Sequence, residues 1–398
     1  MSISLHSPIA ASASHRTRAV RAGIDTDRAH GAVVPPLHLS SNFSFPAFGE
    51  KRRFDYTRSG NPTRQILADS LAELEEGAGS VITASGMAAV TLALQLVPPG
   101  ATVVCAHDCY GGTWRLLQSL AAKKQFTLHL VDLTQPDCEW EIRLHAPAMV
   151  WIETPSNPLL RITDIRAICT VARDIGALSV VDNTFLSPAL QRPLTLGADV
   201  VVHSTTKYLN GHSDVVGGAV IARDPAVLET LEFWSNCLGL SGAPFDSYLT
   251  LRGVRTLFPR LAQHESNARA IADVLQAHPA VSAVHYPGLE SHPGHAIAAA
   301  QQDGFGAMLS FELAGGLEAA RAFTQSLQCF TLAESLGGVE SLVAHPATMT
   351  HASMDVAARE AAGISDGLLR LSVGIEYGED LCRDVRGALD ALPEPGMT

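Results

Sequence analysis

Short apolar segments alternate with segments of helical periodicity from about residue 60 onward. The apolar segments are rich in β-branched residues and have no polar face, which is typical of strands in a parallel sheet covered by helices. The predicted strands lie at 80–83, 101–106, 127–131, 148–153, 178–181, 200–202 and 219–221. The predicted helices lie at 67–76, 86–97, 112–122 and 164–175. This alternation predicts βαβ units, and therefore an α/β fold with a mostly parallel sheet.

The pattern changes near residue 257. A helical seam runs from Leu257 to Leu275, and predicted strands follow at 281–286, 307–313 and 368–373 before a last amphipathic helix. We find no internal repeat. The predicted organisation is an N-terminal arm at 1–58, a larger α/β domain at 59–256 and a smaller α+β domain at 257–398.

Composition and charge narrow the classes of function. The chain has 398 residues and a formal net charge of −12, which disfavours general binding to nucleic acid or to anionic membranes. The sequence contains no uninterrupted run of about 18 apolar residues, so we predict no membrane span. The seven cysteines are scattered without a CxxC pair, which disfavours a zinc site and favours reduced thiols in the cytoplasm. The segment before Asp25 is rich in Ser, Ala and Arg, and we interpret it as a short flexible arm rather than a transit peptide.

Polar residues follow the predicted strands directly, at 84–87, 107–112, 153–158, 182–184 and 203–208. Ligands gather at the carboxyl ends of strands in an open parallel sheet, so we expect these segments to line one site. They offer glycine-led amides and hydroxyls for a phosphate, an aromatic ring, a carboxylate for a pyridine nitrogen and a lysine for a Schiff base. This set of groups predicts pyridoxal 5′-phosphate as the cofactor.

Each of these features has a simpler explanation when it is taken alone. Ser85 before a helix is more often an N-cap than a phosphate ligand, and Asp182 caps a turn equally well. A lone lysine such as Lys207 is usually solvated, and Tyr110 before two glycines packs more often than it stacks. The histidines that flank the lysine lack an acidic or cysteine partner at ligand spacing, so we predict no metal site. It is the joint occurrence of the features, in chain order, that favours the cofactor.

Eight long motifs resemble those of the Cys/Met-metabolism family of pyridoxal-phosphate enzymes. They are DYTRSGNPTR (55–64), SGMAA (85–89), HDCYGG (107–112), ETPSNPLLR (153–161), SVVDNTF (179–185), HSTTKYLNGH (203–212), FTLAESLGGVESL (330–342) and LLRLSVGIE (368–376). The resemblance runs from about Thr17 to the C-terminal helix. It implies a fold type I pyridoxal-phosphate transferase, with a mostly parallel sheet sandwiched by helices, a smaller C-terminal α+β domain and an N-terminal arm that contacts the neighbouring subunit. It also implies a homotetramer, built as a dimer of dimers with shared active sites.

The resemblance assigns residues to the cofactor. Lys207 is implied to form the Schiff base and move protons, Asp182 to pair with the pyridine nitrogen, and Tyr110 to stack on the ring. These three are the predicted catalytic residues. The remaining predicted cofactor contacts are Asn157 near the ring hydroxyl, Ser85, Gly86, Met87, Ser204 and Thr206 at the phosphate, and Tyr56 and Arg58 at the phosphate of a neighbouring subunit.

The resemblance also assigns residues to the substrate. Arg370 is implied to clamp the α-carboxylate, because an arginine fork matches a carboxylate better than a lysine does. The other predicted substrate residues are Ser335 near that carboxylate, Asn157, Arg115 at a distal carboxylate, Glu334, which matches γ-type enzymes, and Asp55, which matches bacterial synthases. The predicted partners are therefore small amino acids and further copies of this chain, with no nucleic acid and no membrane.

The implied activity is a γ-replacement in methionine biosynthesis, in which cysteine displaces succinate from O-succinylhomoserine and gives cystathionine. Two alternatives stay open, namely γ-lyase cleavage of cystathionine to cysteine, 2-oxobutanoate and ammonia, and an O-acylhomoserine sulfhydrylase. Ser59 resembles the lyases, because a second arginine follows Arg58 in the synthase pattern. The segments 245–253 and 345–354 favour the synthase.

Two hypotheses from other classes are weaker. A non-catalytic relative that keeps the fold for protein binding is disfavoured, because the lysine, acid, tyrosine and arginine of the predicted site are all present. A nicotinamide dehydrogenase is disfavoured, because no GxGxxG follows the first strand with an acidic residue about 20 positions further on.

Overall fold

The structure is a computed structural model that describes residues 13–349, 359 and 362–392. Positions 350–354 of the segment 345–354 lie outside the described residues. The chain divides into two compact units, each discontinuous in sequence. The first comprises Met1–Pro99 and Leu178–Phe258, and the second comprises Gly100–Ala177 and Pro259–Thr398. The predicted domains at 1–58, 59–256 and 257–398 stay a prediction.

The described helices are α1 (His15–Arg21), α2 (Pro62–Glu75), α3 (Gly86–Ala93), α4 (Gly111–Ala122), α5 (Cys138–His145), α6 (Ile165–Asp174), α7 (Ser187–Leu190), α8 (Pro225–Leu238), α9 (Pro244–Val254), α10 (Leu257–Gln276), α11 (His295–Gln301), α12 (Gly316–Ser326) and α13 (Gly378–Asp390). The strands are β1 (Gly79–Thr83), β2 (Thr102–Ala106), β3 (Thr127–Val131), β4 (Met149–Glu153), β5 (Leu178–Asp182), β6 (Val200–Ser204), β7 (Gly218–Ala222), β8 (Val281–His285), β9 (Met308–Leu313), β10 (Thr331–Leu332), β11 (Leu342–Ala344) and β12 (Leu368–Ser372).

The strands of the first unit coincide with predicted apolar segments. β5 and β6 run parallel, with Asp182 opposite Val202, whereas β7 runs antiparallel to both β6 and β1. α2 packs on β1, and α3 packs on β6 and β7. The parallel register brings the carboxyl ends of β5 and β6 side by side, and these ends carry two of the predicted strand-end segments.

Polar caps fix where the helices of the first unit begin. The Ser85 Oγ accepts a 3.0 Å hydrogen bond from the Ala88 N–H and so caps α3. The Asn61 Oδ1 accepts from the N–H groups of Thr63 and Arg64, at 2.9 and 3.2 Å, and Pro62 takes the first helical position of α2. The beginning of α3 at residue 86, which the sequence predicts, is confirmed.

The second unit combines parallel strands with a second, smaller sheet. β2 pairs in parallel with β3 and with β4. The five-stranded sheet has the order β10-β11-β12-β9-β8, and its pairs are antiparallel except β10-β11. Its core includes Phe311 and Phe323, whose rings meet edge to face at 5.3 Å. The predicted α/β fold with a mostly parallel sheet and a smaller α+β part is confirmed.

We searched the described residues for membrane-spanning helices, metal-binding clusters and disulfide bonds. No helix within the described residues is long and apolar enough to cross a membrane. The same residues hold no group of three or more His, Cys, Asp or Glu side chains that could bind a metal ion. The seven cysteines all lie within the described residues, and none of them forms a disulfide bond there.

Candidate active site

The predicted phosphate ligands of the first unit lie at the beginning of α3 and the end of β6. A Cβ atom added at Gly86 would lie 2.7 Å from the Ser204 Cβ and 2.9 Å from its Oγ. Glycine therefore allows the first turn of α3 to approach the Ser204 hydroxyl closely. Backbone N–H groups at a helix beginning, together with a hydroxyl, are a donor set suited to a phosphate. The structure thus brings Ser85, Gly86, Met87 and Ser204 together.

The loop after β6 carries Thr206 and Lys207. The Thr206 Oγ1 accepts a 3.0 Å hydrogen bond from the Gly217 N–H and donates to the carbonyl of the same glycine at 3.3 Å. The Lys207 N–H donates to the Ser204 carbonyl, and the Lys207 carbonyl accepts from the Gly211 N–H at 2.8 Å. These bonds hold the loop close to the strand end. The predicted role of the Thr206 hydroxyl at a phosphate requires it to exchange at least one of its contacts with Gly217.

Asp182 ends β5 and is oriented by Thr184. The Thr184 N–H donates to the Asp182 Oδ1 at 3.0 Å, and the Thr184 Oγ1 accepts from the Ser204 N–H at 2.9 Å. The Thr184 hydroxyl also forms a hydrogen bond with Asp182. Because its oxygen accepts the bond from Ser204, the hydroxyl donates its proton to Asp182. Burial raises the pKa of Asp182, while the hydrogen bonds from Thr184 and the charge of His203 lower it.

The second unit carries Tyr110 in the turn before α4. The Tyr110 N–H donates a 2.7 Å hydrogen bond to the Oε2 of Glu153, the buried last residue of β4. Tyr110 is 44% exposed, so an aromatic surface is accessible within this unit. The sequence places Glu153 at a strand end but assigns it no role. Its place in the motif 153–161 is the one signal that points to it.

Arg370 lies in β12, where it is buried and held at two nitrogens. Its Nη1 donates to the Asn157 Oδ1 at 2.8 Å and its Nη2 donates to the Ser335 carbonyl at 3.0 Å. Ser335 has a φ of 87°, in the left-handed region, which costs a non-glycine residue on the order of 1–3 kcal/mol. The structure therefore brings together three of the predicted substrate residues. Arg115, on α4, and Glu334, after β10, are both exposed.

Three predicted site residues, Asp55, Tyr56 and Arg58, belong to the arm segment and lie in the first unit. The Arg58 guanidinium lies 5.4 Å from the centre of the Tyr56 ring and donates to the Asn236 Oδ1 at 2.6 Å. Asp55 accepts a 3.0 Å hydrogen bond from the Lys51 Nζ, and this bond, with the Tyr56 N–H, lowers the pKa of Asp55. In this single chain Arg58 is therefore bound by its own subunit.

The site residues belong to different units. Asp55, Tyr56, Arg58, Ser85, Gly86, Met87, Asp182, Ser204, Thr206 and Lys207 lie in the first unit, and Tyr110, Arg115, Asn157, Glu334, Ser335 and Arg370 lie in the second. Within each unit, the groups present fit pyridoxal phosphate or its substrate. The close approach of Gly86 to Ser204 leaves helix N–H groups for a phosphate. A half-buried acid such as Asp182 is stabilised as a carboxylate by a cation such as a protonated pyridine. The assignment of each residue stays a prediction.

Comparison with known proteins adds independent findings. A profile of the family described as "Cys/Met metabolism PLP-dependent enzyme" matches residues 16–390. Cystathionine gamma-synthase of Escherichia coli (strain K12) is 54% identical over 376 residues, which cover 94% of this chain and 97% of that protein. The crystal structure of cystathionine gamma synthase from Xanthomonas oryzae pv. oryzae in complex with cystathionine is 62% identical with a TM-score of 0.94, over 95% of this chain and 98% of that one. Cystathionine gamma-lyase from Lactobacillus plantarum complexed with L-serine is 40% identical with a TM-score of 0.91, over 95% and 99%.

Proposed function

The chain belongs to the Cys/Met-metabolism family of pyridoxal-phosphate-dependent enzymes, and within that family we propose that it is a cystathionine γ-synthase. The proposed reaction joins O-succinylhomoserine and L-cysteine and yields cystathionine and succinate, a step of methionine biosynthesis by transsulfuration. The observation that carries the proposal is the 62% and 54% identity with two γ-synthases, against 40% with the γ-lyase, at nearly equal coverage.

Pyridoxal phosphate, when bound, accepts the electrons released as bonds beside the substrate amine break. In the proposal Lys207 binds it covalently and moves protons between the α and β carbons of the substrate. Asp182, held by Thr184, keeps the proton on the ring nitrogen. The beginning of α3 and Ser204 bind the phosphate, and Tyr110 covers the ring face.

Arg370 binds the substrate α-carboxylate in the proposal. Its guanidinium is already oriented by Asn157 and the Ser335 carbonyl, so less side-chain freedom is lost when the carboxylate binds. A planar fork with several donors bonds a carboxylate in two places, which fixes the substrate direction. Overall, the γ-carbon–oxygen bond breaks, succinate leaves as a carboxylate, and the cysteine thiolate forms the new carbon–sulfur bond.

Cystathionine γ-lyase is the second candidate. Ser59 favours it, because the synthase pattern has an arginine at this position. Loss of that arginine removes one cation that could hold the distal succinyl carboxylate. In the γ-synthase proposal Arg115 supplies this charge instead, from an exposed position on α4.

Product analysis with O-succinylhomoserine, with and without cysteine, tests the proposal. We expect cystathionine and succinate in equal amounts when cysteine is present. Brisk cleavage of cystathionine to 2-oxobutanoate and ammonia, without condensation, would refute the synthase. A sulfhydrylase would prefer sulfide to cysteine in a direct competition.

The choice of donor is tested at Arg115. We expect Arg115→Gln to lower kcat/KM for O-succinylhomoserine by about tenfold or more, since a hydrogen bond to a charged group contributes about 1.5–3 kcal/mol. The value for O-acetylhomoserine, which lacks the distal carboxylate, should change little. Arg143→Gln is the matched control, because Arg143 forms an exposed ion pair with Asp174 in the same unit.

We also propose a cytoplasmic homotetramer. The lack of a disulfide bond among the cysteines of the described residues supports a reducing compartment. The arm residue Tyr56 is 47% exposed in the single chain, as a residue that serves a neighbouring subunit requires. Sedimentation velocity should give the mass of four chains, and a stable monomer with full activity would contradict shared sites.

A further inference from the structure

A buried polar network lies beneath the ends of β5 and β6. Glu75, the last residue of α2, is fully buried, and its Oε1 faces the His203 Nε2 at 2.6 Å. The same oxygen accepts a 2.9 Å hydrogen bond from the Asn183 Nδ2. Asn183 in turn bonds Gln191 twice, at 2.7 and 3.1 Å. Nothing in the sequence pairs Glu75 with His203, because 128 positions separate them.

Two members of the network are adjacent in sequence to proposed cofactor ligands. Asn183 follows Asp182, and His203 precedes Ser204. Asp182 lies opposite Val202 across parallel strands that are about 4.7–4.9 Å apart, and successive strand side chains alternate in direction. His203 therefore projects from the face of the sheet opposite to that of Asp182.

The chemistry of the pair indicates where the proton lies. A buried carboxylate is expensive unless a cation or several donors satisfy it. Glu75 receives both of its described hydrogen bonds on Oε1, whereas the Glu75 Oε2 and the His203 Nδ1 are buried without a hydrogen-bond partner among the described residues. The His203 Nε2 contact with Glu75 is therefore the polar contact described for this ring. An N···O distance of 2.6 Å belongs to the short range of charge-assisted bonds. His264 offers a contrast, because this equally buried imidazole faces the Val373 carbonyl, and burial lowers its pKa to about 4.

We infer that Glu75 keeps His203 as an imidazolium, and that this buried cation stabilises the carboxylate form of Asp182 from behind the sheet. His203 and Glu75 are then positioning residues that act through Asp182, which holds the proton of the cofactor ring nitrogen. The inference rests on the proposed role of Asp182, but not on which reaction the enzyme catalyses. The first unit then contains a row of three interacting side chains, Glu75, His203 and Asp182, in which the imidazole lies between two acids.

The protonation of His203 is measured directly by 15N solid-state NMR of histidine-labelled protein, with and without cofactor. The difference between the spectra of the wild type and His203→Gln isolates this residue among the sixteen histidines. We expect both ring nitrogens to be protonated at neutral pH, and Glu75→Gln to return the ring to its neutral form. A neutral His203 in the wild type overturns the inference, whether or not Glu75→Gln folds well.

The effect on Asp182 is measured in the apoprotein by infrared titration of 13C-aspartate, with Asp182→Asn as the subtraction. His203→Gln keeps a donor for Glu75 but removes the charge, so we expect Asp182 to titrate at a higher pH and pyridoxal phosphate to bind about tenfold more weakly. His264→Asn, a matched loss of a buried imidazole, should change neither. Unchanged titration of Asp182 in His203→Gln overturns the inference.

The proposed role of Asp182 and the inferred effect of His203 on Asp182 can be refuted separately. If Asp182→Asn binds the cofactor as tightly as the wild type, the proposed role of Asp182 is wrong. The titration of Asp182 in the apoprotein still decides whether His203 acts on it. A γ-lyase result in the product assay leaves both measurements unaffected.

Discussion

At the scale of single residues, the state of Asp182 depends on the hydroxyl of Thr184. That hydroxyl accepts from the Ser204 N–H and donates to Asp182, so it links the proposed ring-nitrogen and phosphate contacts. We expect Thr184→Val to raise the pKa of Asp182, because one hydrogen bond to the charged form is lost. A hydrogen bond to a charged group contributes about 1.5–3 kcal/mol, so cofactor affinity should fall about tenfold or more.

Thr184→Ser is the matched control for this prediction, because it keeps the hydroxyl and loses only a methyl group. Equilibrium titration of the apoprotein with pyridoxal phosphate measures the effect in both variants. We expect the serine variant to bind nearly as the wild type does. Equal affinity in the valine variant would show that the hydroxyl has no part in holding Asp182.

The residue types of the candidate site can be predicted from the sequence, but the contacts between these residues cannot. The lysine, acid and tyrosine stand out because each follows a predicted strand. Arg370 bonds Asn157 across 213 positions, and Glu153 accepts from the Tyr110 N–H across 43. Both contacts depend on which strands become neighbours, and no local pattern encodes that. The pairing of His203 with Glu75 is unpredictable from the sequence for the same reason.

At the scale of elements, the beginning of α3 depends on glycine. A methyl group at position 86 would meet the Ser204 side chain at 2.7 Å. Overpacking of this kind costs about 1–3 kcal/mol, so we expect Gly86→Ala to move α3 and weaken cofactor binding about tenfold or more. Fluorescence titration with pyridoxal phosphate measures the loss.

Gly387→Ala provides the control for α3. Gly387 lies inside α13, and a Cβ atom there meets nothing within 4 Å. Alanine favours a helix interior over glycine by about 1 kcal/mol, so this variant should be slightly more stable and bind the cofactor unchanged. Wild-type affinity in Gly86→Ala would contradict the proposed phosphate site.

The elements themselves are predictable where periodicity is strong. The predicted helix at 164–175 is confirmed as α6, whose Asp164 cap accepts from the Ala167 N–H at 3.0 Å. α5 is absent from the predicted helices because it buries only Cys138 and Ile142, too few positions for a helical pattern. The antiparallel direction of β7 is not predicted either. Strands buried on both faces look alike whichever way they run, since direction depends on the connection and not on side-chain alternation.

At the scale of the whole molecule, buried neutral histidines make folding sensitive to acid. His264 has a folded-state pKa of about 4 because burial disfavours its charged form. The unfolded chain binds this proton first, so the stabilisation is complete above about pH 6.5 and is lost as the pH falls towards 4. The loss amounts to about 3 kcal/mol.

We therefore expect His264→Asn to flatten the pH dependence of unfolding by an amount of that order. Asparagine keeps a donor for the Val373 carbonyl but has no proton to gain. Urea unfolding of the apoprotein at a series of pH values between about 4 and 7 measures the effect. A variant whose stability falls with acid as steeply as that of the wild type would show that His264 does not titrate in this way.

The proposed activity depends most on the attachment of pyridoxal phosphate to Lys207. The chain has four lysines, Lys51, Lys123, Lys124 and Lys207, so the alternatives are few. Borohydride reduction of the cofactor-loaded protein, followed by mass spectrometry of its peptides, locates the bound group. We predict one reduced cofactor per chain, on the peptide that contains Lys207, and none in Lys207→Ala. Label on one of the other three lysines, with Lys207 unmodified, would contradict the proposed active site.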